Sequence, residues 1–144
     1  CVDAFSGERC VVTRSAKVPV SRAVAASSAV PGLFAPQPIQ DRRCMDGGVS
    51  GTGTHLDLLA GARRAIVLGL TDGADVVEGR MTVAPGATVR ELDELRGTGT
   101  DVMFRRPESV DIDRLMDPTA VPDAVAMGRR QAGADAEEMQ AFLA

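Results

Sequence analysis

The chain has 144 residues, 44% of them hydrophobic and 25% charged, enough to bury one ordinary globular core. A net charge of −4, no Trp, no Tyr and only 3% aromatic residues exclude the basic, aromatic surface that nucleic acids need. They also leave no polybasic handle for anionic lipid, and no apolar run reaches the length of a membrane span.

In chain order, Ser6-Gly7 predicts a turn and Arg9 to Val18 a strand, with Cys10, Val11 and Val12 followed by alternating polar residues. Ser21 predicts an N-cap for a helix running to about Ala29, whose Ala and Ser residues permit close packing. Pro31 forces Val30 out of helical geometry. Leu33 to Pro38 predicts extended chain, and Ile39 to Met45 a short strand with Asp46 at its end. Thr54 predicts a cap for a helix through Ala62, and Arg64 to Leu70 a buried strand. Thr71 to Pro85 reads as a mobile polar loop, Thr88 to Arg96 as a helix stopped by Gly97, and Asp101 to Arg106 as a strand stopped by Pro107. Ser109 to Pro118 is irregular. Asp123 to Leu143 predicts a long amphipathic helix carrying Val125, Met139, Phe142 and Leu143, a docking element rather than a membrane-binding one. This alternation points to an α/β layered domain with a partly parallel sheet.

Two segments carry chemistry. Asp46-Gly47-Gly48 can hold a carboxylate uncovered on a tight turn, because glycine tolerates unusual φ/ψ and lets another backbone come close. Upstream lies Ala26-Ser27-Ser28-Ala29-Val30-Pro31-Gly32-Leu33-Phe34, the end of the small-residue helix. In this order and spacing the two segments resemble the C-terminal half of a patatin-like phospholipase, a family of serine lipid acyl hydrolases that use a Ser–Asp dyad. Asp3-Ala4-Phe5-Ser6-Gly7-Glu8-Arg9 resembles the hairpin turn before that helix, and Ala60 to Leu68 its next helix end and strand. Glu108 to Asp117 and Met127-Gly128-Arg129-Arg130-Gln131 resemble the closing segment of bacterial members. Nearly the whole chain is thus covered, most weakly from Leu70 to Pro85.

The resemblance implies a helix–sheet–helix α/β domain of which residues 1–144 are the C-terminal portion. It implies Asp46 as the catalytic base, Gly47 and Gly48 as its supporting turn, a lipid or ester substrate and no cofactor. The family's nucleophile sits on a Gly-x-Ser-x-Gly elbow behind a glycine-rich oxyanion loop, and this chain contains no such elbow. Ser50, the nearest candidate, has Gly48 two before it but Thr52 two after it. The expectation is therefore a part of a lipid hydrolase, inactive alone, whose N-terminal half is missing or whose open surfaces make it self-associate. A catalytically dead α/β fragment serving binding or assembly is the alternative. An unrelated α/β binding domain with a coincidental Asp-Gly-Gly is a third reading. The expected location is cytoplasmic, with peripheral contact at a membrane.

In such a dyad the Asp carboxylate accepts the serine proton as the hydroxyl attacks an ester carbonyl, and backbone N–H groups stabilise the oxyanion. The competing reading of Asp46 is a turn residue bonded to its own backbone. Asp41, beside Arg42 and Arg43, and Asp57, within a helix, read as solvated. His55 suggests a Ser–His–Asp triad, but the family needs no histidine and members often have Asn near this place. The default reading of His55 is a polar loop residue or a helix-start contact. Cys1, Cys10 and Cys44 match no zinc or disulfide framework and read as buried free thiols in a reducing compartment.

Overall fold

Strand β1, Val2–Asp3, turns back at once through Ser6-Gly7. Asp3 N–H donates to the Glu8 carbonyl, Gly7 N–H to the Asp3 carbonyl, and Val2 bridges Arg9 in antiparallel sense. The predicted hairpin turn is present in this computed structural model, which describes residues 1–50, 54–70, 86–115 and 117–144. The described residues form two compact units: the first holds Cys1–His55 together with residues 86–87, the second residues 56–70 and the described part of Thr88–Ala144.

In the first unit β2 (Gln37–Ile39) and β3 (Arg42–Met45) form a hairpin, and β1 pairs with the other edge of β3, giving the antiparallel order β1-β3-β2. The single strand predicted over Ile39 to Met45 is thus two strands, because Gln40 takes a left-handed φ of 55° and reverses the chain. The strand predicted for Arg9 to Val18 does not form. The two-residue β1 offers Arg9 one bridge, and the chain then makes a 3-10 turn at Arg14–Ala16 closed by Lys17 at φ 53°. Its alternation survives in packing, since Cys10, Val12 and Val18 lean on the core cluster of Ala26, Ile39 and Cys44.

Helix α1 spans Val20–Ser27. It starts one residue before the predicted Ser21 cap. Pro19 is the N-cap, and its carbonyl accepts from the N–H groups of Arg22 and Ala23 without side-chain help. Ala26 is 0% and Ala29 1% exposed, so small side chains let the helix end lie close against β2 and β3. Val20 and Val24 are exposed.

The second unit contains β4 (Arg64–Leu68) and β5 (Asp101–Arg105), paired in parallel with Arg64 opposite Asp101 and Leu68 opposite Arg105. Parallel neighbours need a crossover, and helix α2 (Ala87–Gly97) lies between them in sequence. Leu92 and Leu95, one turn apart on α2, pack with Leu56 and Ala65, and Val67, Val102 and Phe104 lean on this core. Gly99, at φ 88°, ends the helix by donating its N–H to the Arg96 carbonyl. The expected loop over 71–85 lies outside the described residues.

Two expectations change here. The helix predicted from Thr54 to Ala62 is a four-residue 3-10 turn, Leu56–Leu59, because His55 holds φ 53° before it and Gly61 φ 86° after it. Strand β4 is only half covered: Ala65 is buried, whereas Leu68 is 77% exposed. Helix α3 (Val121–Leu143) has no buried residue. It is held by polar contacts at the end of β5: Arg105 Nε donates to Asp135 at 3.1 Å, Arg105 also pairs with Glu138, and Gln131 donates to the Arg106 carbonyl at 2.6 Å.

Candidate functional site

Asp46 follows the last residue of β3, so the strand delivers it to a defined place. Its N–H donates to the Ala29 carbonyl at 3.0 Å, tying the Asp turn to the end of the small-residue segment. The two sequence motifs are therefore joined by a backbone bond. Asp46 then caps a 3-10 turn, Gly47–Val49, its Oδ1 accepting from Gly48 N–H at 2.7 Å. The carboxylate is half-exposed, and among the described residues Oδ2 accepts no hydrogen bond. A carboxylate with one oxygen fixed by a backbone donor and the other open can accept a proton from an incoming hydroxyl.

Gly47 and Gly48 support the turn differently from the expectation. Neither takes a positive φ. Gly47 is buried, and a Cβ there would lie 3.3 Å from the Cys1 nitrogen, 3.5 Å from Cys1 Cα and 3.7 Å from His55 Nε2. The close backbone approach that glycine permits is made by Cys1. Gly48 is exposed and contributes its N–H to Asp46.

His55 Nε2 lies 2.8 Å from the Gly47 carbonyl oxygen. A carbonyl only accepts, so Nε2 carries the proton and donates. Ser50 donates to the same oxygen twice, from its N–H at 3.2 Å and from its hydroxyl at 3.3 Å. The three donors converge on the turn's backbone. Among the described residues no serine hydroxyl and no histidine nitrogen bonds Asp46. Asp41 lies exposed in the β2–β3 turn and Asp57 exposed in the 3-10 turn.

Cys1, Cys10 and Cys44 are free thiols, as expected, but only Cys44 is fully buried. Sequence spacing missed that their Sγ atoms all lie within 4.8 Å of one another. Burial, and next the neighbouring Cys10 thiol, push the Cys44 thiol up to about 11. In the second unit a cavity of about 440 Å³ is lined by Leu70, Val110, Leu115, Met127, Arg114 and Arg130 among others, without any acid predicted as catalytic.

The patatin-like phospholipase family model matches residues 2–58, a stretch that contains the hairpin turn, the small-residue segment and the whole Asp46 turn. The match supports that family for this stretch. Residues 59–144, to which the sequence resemblance was extended, lie outside it. Searches of curated proteins and of solved structures return no match. Among the described residues no helix is long and apolar enough to cross a membrane.

Proposed function

We propose that the chain is the C-terminal, base-bearing portion of a patatin-like serine lipid acyl hydrolase, with Asp46 as the base of a Ser–Asp dyad. The observation that carries this reading is the Asp46–Ala29 backbone bond inside the family match, which sets a half-open carboxylate against the end of α1. The nucleophile comes from a Gly-x-Ser-x-Gly elbow on a polypeptide segment other than residues 1–144. The serine hydroxyl gives its proton to Asp46 Oδ2 as its oxygen attacks the ester carbonyl, and Asp46 returns the proton to the leaving alkoxide. The substrate is a lipid or other carboxylic ester met at a membrane surface, and the chain alone is inactive.

The half-covered, parallel β4–β5 pair fits this reading. Parallel sheets are ordinarily covered on both faces, and Leu68 and Leu70 stand largely exposed. A further segment, or a second copy, covers them. The competing reading is a catalytically dead module for binding or assembly; that Ser50 gives its hydroxyl to Gly47 and not to Asp46 is compatible with both readings.

The test co-expresses the chain with a segment that carries the elbow and the glycine-rich loop, and assays a chromogenic butyrate ester. Hydrolysis is expected only when both parts are present, with Asp46→Asn lowering turnover on the order of a hundredfold or more. Stoichiometric labelling of a serine in residues 1–144 alone by a fluorophosphonate would overturn the division of labour. Unchanged turnover in Asp46→Asn would overturn the dyad.

A further inference from the structure

We propose that Cys1, Cys10 and Cys44 form a three-sulfur site for a single soft monovalent cation of the Cu(I) class. The site is built by the ladder and not by local spacing. Cys10 N–H donates to the Cys1 carbonyl at 2.8 Å, and Cys1 Sγ lies 3.3 Å from the Cys10 carbonyl oxygen, so these two residues face each other beside the Val2–Arg9 bridge. Strand β3 then brings Cys44 in by pairing Asp3 with Cys44 and Val2 with Met45.

All three Sγ atoms lie within 4.8 Å of one another. An ion about 2.3 Å from each of three coplanar sulfurs would hold them about 4 Å apart, within reach of small side-chain rotations. The cluster is packed by Ala26, Ile39, Val12 and Val18, which offer no oxygen or nitrogen ligand from their side chains.

Ligand chemistry selects the ion. Thiolates favour soft cations, and structural zinc takes four protein ligands. Among the described residues the grouping holds three sulfurs and no fourth ligating side chain, which suits a three-coordinate monovalent ion. On binding, three Cu–S bonds form and three S–H bonds break. The three protons pass to solvent, and neither copper nor sulfur changes oxidation state.

The test titrates the reduced 144-residue chain with Cu(I) under anaerobic conditions, in competition with the chromophoric chelator bicinchoninate. One equivalent should leave the chelator, and copper-edge X-ray absorption should show three sulfurs. Cys1→Ser, Cys10→Ser and Cys44→Ser should each weaken retention on the order of a hundredfold or more, beyond the usual effect of losing a supporting partner. Should the buried Cys44→Ser variant fail to fold by circular dichroism, the two half-buried positions carry the test. No withdrawal from the chelator, two-sulfur coordination, or serine variants that bind like the parent would overturn the site. A Zn(II) complex held more tightly than Cu(I), with three sulfurs and one water, would overturn the choice of ion.

Discussion

Replacing His55 separates a supporting role from a catalytic one. His55 Nε2 donates to the Gly47 carbonyl at 2.8 Å, from a backbone held at φ 53°. Losing a hydrogen bond of this kind costs roughly 0.5–1.5 kcal/mol net. The full penalty of an orphaned buried carbonyl is avoided, because Ser50 still donates to Gly47 through its N–H and its hydroxyl. His55→Ala should therefore lose about 1 kcal/mol while keeping the left-handed backbone. His55→Gly loses the same bond but sheds roughly 1–2 kcal/mol of left-handed strain. Against this stands about 0.5–1 kcal/mol for the extra freedom of an unfolded glycine. The glycine variant should then be about 0.5–1 kcal/mol more stable than the alanine variant, and close to the parent.

Urea titrations followed by circular dichroism, at unchanged m-values, read these differences directly. An alanine variant as stable as the parent would refute the bond to Gly47. A glycine variant no better than alanine would refute the backbone strain. In the reconstituted hydrolase, His55→Ala should cost at most about tenfold in turnover, the kinetic equivalent of about 1.4 kcal/mol, because His55 touches the turn and not the carboxylate. A loss matching that of Asp46→Asn would make the site a triad.

Ile39, 1% exposed between Ala26 and Cys44, should cost about 2–5 kcal/mol when cut to alanine and about 0.5–1.5 kcal/mol when cut to valine; equal urea midpoints for the two variants would contradict its place in the core. Asp3 is held below the ordinary aspartate value of 3.8 by the N–H groups of Ser6 and Phe5, at 3.0 and 2.9 Å. A depressed carboxyl contributes stability that is fully present above its unfolded value and is lost as pH falls through its folded one. The gap in urea midpoint between the parent and Asp3→Asn should therefore close as pH drops below about 4, and a gap that widens in acid would reverse the assignment.

Where local chemistry decided the outcome, the sequence was readable. Helix α2 ends within a residue of where Gly97 predicted it, Pro107 follows the end of β5, and Ser6-Gly7 turns the first hairpin, while α1 stops at Ser27, two residues short of the predicted end. The misreadings arose where a non-glycine residue took a left-handed backbone. Gln40 splits one predicted strand into a hairpin, Lys17 closes a 3-10 turn, and His55 starts a short turn in place of a helix. Composition does not announce such positions, because Lys, Gln and His carry no sequence signal for a left-handed backbone as glycine does. Burial was misjudged for β4, since an apolar run says that a strand prefers cover and not that cover is supplied. The Asp46 turn was legible as a motif. Its attachment to Ala29 and the bond from His55 to Gly47 were not, because each joins groups that the chain's fold, and not adjacency in sequence, brings together.

The thiol cluster and the Asp46 turn are mechanically adjacent, although nothing in their sequence spacing relates them. Strand β3 carries both: Cys44 points into the cluster, and Asp46 follows Met45 at the strand's end. Cys1 belongs to both as well, since its Sγ joins the cluster while its backbone presses on Gly47, where an added Cβ would stand 3.3 Å away. Any backbone adjustment that accompanied closure of the three sulfurs on a shared ion would act on the strand end that leads into Asp46 and on the glycine beside it. A close-packed interior transmits such shifts because it has little free volume to absorb them.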